Sequence, residues 1–146
     1  MSLVDVRPSV RIARRPAEVA AYMFDPAHDL AWTGGITSSR PDQPGPLREG
    51  HTVVRTARFL GREFDYGYVV TAHEPDRLVE LKVDKPFPML VRYELAPADG
   101  GTATDVGIRA TGDPGRFFGL FRPLMAAQVR RSIGADLARL KAVLEA

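Results

Sequence analysis

The sequence predicts an α+β domain in which a curved antiparallel β-sheet of about seven strands wraps around one long C-terminal α-helix, with two short helices after the first strand. Three observations carry this. Apolar and polar residues alternate with period two in successive segments between residues 3 and 111. From Phe118 onward the apolar positions switch to steps of three and four: Phe118, Phe121, Met125, Val129, Ile133, Leu137, Leu140 and Leu144. Glycine and proline, 25 of 146 residues, fall between the periodic segments as turn punctuation.

The elements follow in order. Val4, Val6, Val10 and Ile12 alternate with Asp5, Ser9 and Arg11, which reads as a half-buried strand, and Pro8 marks it as an edge or a bulge. Pro16 sits where a first helical residue belongs, so residues 16–24 form a short helix. Asp25 can cap a second one with Pro26 behind it, running to about Trp32 and ended by Gly34-Gly35. A short strand near Ile36–Arg40 precedes a loop rich in Pro and Gly over residues 40–50. Strands are expected at His51–Leu60, Glu63–His73, Leu78–Val83, Phe87–Leu95 and Thr102–Thr111, with turns at Gly61-Arg62, Glu74-Pro75-Asp76-Arg77 and Asp99-Gly100-Gly101. The last helix starts in earnest at Pro123, leaving 24 residues, about 36 Å at 1.5 Å per residue. Gly134 interrupts it at about 1 kcal/mol relative to Ala, tolerable where the backbone approaches a sheet closely.

Composition narrows the function. A chain of 146 residues fits one domain, residues 1–146. There is no cysteine, which excludes disulfides and thiolate metal sites. The 20 basic and 18 acidic residues leave a net charge of +2, which does not argue for nucleic acid. No apolar run reaches the roughly 18 residues of a membrane span. The opening MSLVDVRPSV reads as neither a signal nor a transit peptide, so a cytoplasmic location is expected. The basic residues are 17 Arg and 3 Lys, a bias that suits a GC-rich bacterial genome.

Several pieces in order resemble one family. They are Val10-Arg11-Ile12 followed by Pro16-Ala17-Glu18-Val19, then Asp25-Pro26 and Trp32, then Gly50 opening a strand. Phe59-Leu60-Gly61-Arg62, Glu74-Pro75 with Arg77-Leu78, and Tyr93-Glu94-Leu95 before Gly100-Gly101-Thr102 continue the series. Leu137-Ala138-Arg139-Leu140-Lys141 with Glu145 closes it. Together they resemble the START and birch-pollen-allergen superfamily (SRPBCC), in its polyketide cyclase/dehydrase-like branch. The resemblance implies a helix-grip fold with a deep cavity between the sheet and the last helix. It also implies a lipid, sterol, polyketide, hormone or aromatic ligand. The family has no universal catalytic motif, so no catalytic residue is carried over.

The residues offer a few anchors. His28, His51 and His73 lack metal-ligand spacing, no nucleophile motif is present, and no cofactor or metal is expected. In strand 51–60 the odd residues His51, Val53, Arg55, Ala57 and Phe59 are the more apolar set and suit the cavity face. The opposite register would leave His51 and Arg55 solvated. A buried Arg55 needs a carboxylate or an acceptor, which an anionic or carbonyl-bearing ligand would supply. Tyr66, Tyr68 and Tyr93 share faces with Phe64 and Met89; they read as core aromatics or as hydroxyls directed at a ligand. Trp32 reads as a packing anchor at the cavity mouth or as a contact. The segment with Phe117, Phe118, Phe121 and Met125 reads as a plug, a gate or a membrane-touching patch.

The candidate ligand-binding set is Trp32, His51, Arg55, Phe64, Tyr66, Tyr68, Met89, Tyr93, Phe118, Phe121 and Met125. The expected partner is a small hydrophobic or aromatic molecule, not nucleic acid, bound by a monomer or homodimer. Alternatively the chain is a polyketide cyclase or dehydratase using Arg55, His51 and a tyrosine. A lipid or quinone carrier docking through its Phe-rich segment is a third reading.

Overall fold

A computed structural model describes residues 4–59, 61–85, 87–113 and 122–146. Its strands are β1 (Val4–Val6), β2 (Ser9–Ile12), β3 (Ile36–Pro41), β4 (Thr52–Phe59), β5 (Arg62–Glu74), β6 (Leu78–Val83), β7 (Met89–Ala98) and β8 (Ala103–Gly112). All join one antiparallel sheet in the order β1-β8-β7-β6-β5-β4-β3, with β2 also on β8. The helices are α1 (Pro16–Met23), the single-turn α2 (Asp29–Trp32) and α3 (Arg122–Glu145). This is the helix-grip arrangement.

The first strand is broken, and Pro8 explains the break. Val4 lies opposite Gly112 and Ser9 opposite Gly107, so β1 and β2 keep one register along β8. Pro8 has no N–H to give the ladder, although its carbonyl still accepts the Ile108 N–H at 3.1 Å. The sheet therefore has eight strand segments in seven positions. Register irregularities between Ile36 and Ser38 and between Val70 and Ala72 bend β3 and β5.

Alternation decides which face turns inward. Val53, Arg55 and Ala57 of β4 are buried while Val54 and Arg58 are exposed. Tyr68 and Val70 of β5, Val79, Leu81 and Val83 of β6, Tyr93 and Leu95 of β7, and Val106, Ile108 and Ala110 of β8 are buried on the same side. Glu63 and Asp65 are exposed.

α3 packs onto β1, β2 and α2. Leu137 and Leu140 are fully buried and join Ile12, Val19, Met23 and Val106 in the core. Further up the helix Val129 and Ile133 are only half-buried. Gly134 makes no close approach to the sheet, because a Cβ built there meets nothing within 4 Å. The expectation that close packing explains this glycine is therefore corrected. Tight packing lies one turn later, at Leu137 and Leu140.

Candidate ligand cavity

The half-buried stretch of α3 faces a cavity of about 240 Å³ against the inner face of the sheet. Val129 and Ile133 form its helix side; Phe64, Met89, Val91, Ile108 and Ala110 form much of its sheet side. One end is polar, and that end is built by α2 and β4.

The local sequence explains α2. The Asp25 carboxylate accepts the Ala27 N–H at 2.9 Å, and Pro26 opens a 3₁₀ turn, Pro26–His28, that runs directly into α2. Asp29 and Trp32 are three residues apart and share a face, here the inner one, whereas Leu30 is 58% exposed. β4 brings Arg55 to the same place. Both side chains are almost completely enclosed, Asp29 at 2% and Arg55 at 6% exposure. Arg55 Nε and Nη2 donate to Asp29 Oδ2 at 3.1 and 2.9 Å, and Ser39 Oγ donates to the same oxygen at 2.6 Å.

Three tyrosines surround this pair. Arg55 Nη1 donates to Tyr66 Oη at 3.4 Å, and its guanidinium carbon lies 4.9 Å from the centre of the Tyr68 ring. Tyr93 packs edge-on against Trp32, ring centres 5.8 Å apart. Burial works against the Arg55 charge, but the oxygens of Tyr93, Tyr66, Tyr68 and Asp29 outweigh it and hold its pKa well above the ordinary value. Burial pushes the Tyr93 phenol up to about 12 and the Tyr68 phenol higher, with the Arg55 charge pulling both back. At neutral pH the polar end thus presents a guanidinium and neutral phenols.

A second cluster holds the loop after α2 onto α3. Asp136 Oδ1 accepts the Gly34 N–H at 2.9 Å and also pairs with Arg139. Arg139 Nε donates to the Trp32 carbonyl at 3.1 Å. Asp136 also lines the cavity, and burial holds its carboxyl above the usual range despite those hydrogen bonds.

Of the residues singled out from sequence, Trp32, Arg55, Phe64, Tyr66, Met89 and Tyr93 stand together on the cavity wall. Tyr68 lies behind the wall, against the Arg55 guanidinium. Its hydroxyl is buried with no hydrogen-bond partner among the described residues, and the same holds for the Trp32 indole N–H. His51 is half-buried ahead of β4, where its carbonyl accepts the Val70 N–H; the β4 part of the wall begins four residues later, at Arg55. Met125 is buried near the start of α3 and is not on the wall. Phe118 and Phe121 lie outside the described residues. Sequence reasoning missed Asp29, Ser39 and Asp136. The signal for Asp29 was available: a guanidinium on an apolar strand face requires an internal carboxylate.

A family model described as polyketide cyclase / dehydrase and lipid transport matches residues 4–145. The chain belongs to this polyketide cyclase/dehydrase family. Solved structures share its fold. The KanY protein (ms6282) has 21% identity and a TM-score of 0.78, with 100% of each chain covered. TTHA0849 from Thermus thermophilus has 16% identity and a TM-score of 0.79, with 96% of each chain covered. Ara h 8.0201 has 14% identity and a TM-score of 0.70, again over 96% of each. No curated protein matched. Among the described residues no helix is long and apolar enough to cross a membrane. In this cyclase/dehydrase-family chain the sheet, α3 and α2 together line the cavity, and Arg55 marks its polar end.

Proposed function

We propose that this protein binds a small hydrophobic or aromatic, polyketide- or lipid-like molecule in the cavity between the sheet and α3. The observation that carries the reading is the concave, mostly apolar space with one polar end, where Arg55 and Tyr66 stand. Few polar groups in an apolar cleft orient a ligand, and the apolar walls hold it. Size narrows the class. An apolar cavity of about 150 Å³ holds one benzene, so 240 Å³ suits about two fused rings. A ligand of this size gains about 4–6 kcal/mol, a dissociation constant of roughly 0.05–1 mM, before any natural substituents add to it.

The chain has one tryptophan, and it is on the cavity wall. Its indole N–H therefore supplies a single, assigned NMR signal inside the site. Titration with 2-acetylnaphthalene is expected to shift that signal saturably. Filling the space with Val91→Phe is expected to abolish the response in a protein that still melts cooperatively. An indole signal unmoved at saturating probe would reject the cavity as a binding site.

The second reading is a cyclase or dehydratase acting on a polyketide or aromatic substrate. The guanidinium facing the cavity beside Tyr66 favours it, because fixed positive charge and a phenol donor stabilise a developing enolate. Turnover by wild type of an aromatic poly-β-ketone tests it. Arg55→Lys should then lower kcat more than it raises KM.

A further inference from the structure

We propose that the cavity selects an uncharged ligand, with a carbonyl or hydroxyl oxygen at the Arg55 end, and rejects a carboxylate of the same shape; Asp29 is the residue that sets this preference. The inference deepens the ligand-binding reading and rests on it. A buried arginine at the end of an apolar pocket suggests an anionic ligand when it stands alone. Arg55 does not stand alone. Two of its N–H groups go to Asp29 Oδ2, and Ser39 Oγ fixes that same oxygen, so the countercharge is part of the protein.

Among the described residues, two other cations near the cavity are matched too. Arg58, on the wall, lies 3.5 Å from Glu63 Oε2, and Arg139 pairs with Asp136. Asp136 itself lines the cavity, which puts a carboxyl in the ligand's surroundings. An anionic ligand would enter a site whose described positive charges are already matched, with the Asp136 carboxyl on the wall, and would lose its hydration without a new counterion. A neutral oxygen meets no such penalty. It finds guanidinium N–H donors not used by Asp29, on the Nη1 side that reaches Tyr66 Oη.

The experiment compares 2-acetylnaphthalene with 2-naphthoate at pH 7, by calorimetric titration of the full chain. Wild type is expected to bind the ketone at least tenfold more tightly. In Asp29→Asn, which keeps an acceptor for Ser39 but removes the charge, the ratio should fall at least tenfold as naphthoate gains and the ketone changes little. Thermal melting verifies that the variant is folded; should it not fold, the wild-type ratio decides alone. Equal or tighter binding of naphthoate by wild type overturns the proposal while leaving the cavity intact as a site. An unchanged ratio in folded Asp29→Asn overturns the role of Asp29. Failure of both probes to bind rejects the underlying ligand-binding reading, and this inference with it.

Discussion

Gly34 and Arg139 are fitted so closely that a Cβ added to Gly34 would lie 2.1 Å from Arg139 Nη2. The guanidinium end could swing away, but it is held by the Trp32 carbonyl and by Asp136. Gly34→Ala is therefore expected to break the clasp between the α2 loop and α3. Losing one or two partly exposed hydrogen bonds costs about 1–2 kcal/mol. Urea unfolding would show it as a lower midpoint at unchanged slope. Removing the guanidinium as well, in Gly34→Ala with Arg139→Ala, should add little further loss, because the first change has already displaced it.

The Asp29–Arg55 pair predicts strong coupling. Removing either partner strands a buried charge, so Asp29→Leu and Arg55→Met should each cost about 3–5 kcal/mol. The double variant has apolar groups in both places and should cost much less than the sum of the two. A double-mutant cycle by chemical denaturation reads the difference directly. Additive losses would mean that the two side chains do not depend on each other.

Within α3 the energetics should follow contact, not position in the stripe. Leu140 is fully buried, and Leu140→Ala should cost about 2–5 kcal/mol. Gly134→Ala should instead stabilise by about 0.5–1 kcal/mol, since the helix gains a better former and a Cβ there meets nothing. Thermal melts of the two variants give shifts of opposite sign on this account.

The acid limb of stability should carry two opposed contributions. Asp105, hydrogen-bonded by Arg11, and Glu145, held by Lys141 and the Ala13 N–H, have lowered pKa values. Their stabilisation is present above the ordinary carboxyl range and is lost as pH falls through the lowered values. Asp136 works the other way. Burial raises its pKa, so the folded state takes up its proton before the unfolded chain does and gains stability as pH falls through that raised value. Asp136→Asn is expected to steepen the loss of stability as pH falls toward and through the ordinary carboxyl range. A variant whose acid limb is shallower than wild type would contradict the assignment.

Much of this molecule was legible in its residue pattern. Period-two alternation picked the side of β4 that carries Val53, Arg55 and Ala57 as the inner one, and steps of three and four identified Leu137 and Leu140 on the apolar face of α3. The site was legible only in part. Arg55 stood out as a charge on an apolar strand face, but its partner Asp29 is 26 residues away on a one-turn helix, and periodicity carries no information about which side chains meet across a sheet. The same limit hid Asp136. It stands beside the apolar stripe of Ile133 and Leu137, and nothing in that stripe shows that the loop after α2 closes over it through the Gly34 N–H. Ile133 shows the converse: the centre of the stripe is a cavity wall, not the tightest packing.

The central claim is that the space between the inner sheet and α3 is where the ligand sits. Intermolecular NOEs between naphthyl protons of bound 2-acetylnaphthalene and protein methyl groups test it most directly. Contacts to the methyls of Ile108, Ala110 and Ile133, from strand and helix at once, are the predicted result. Contacts confined to outward-facing methyls such as those of Val54, which is 42% exposed, would contradict it.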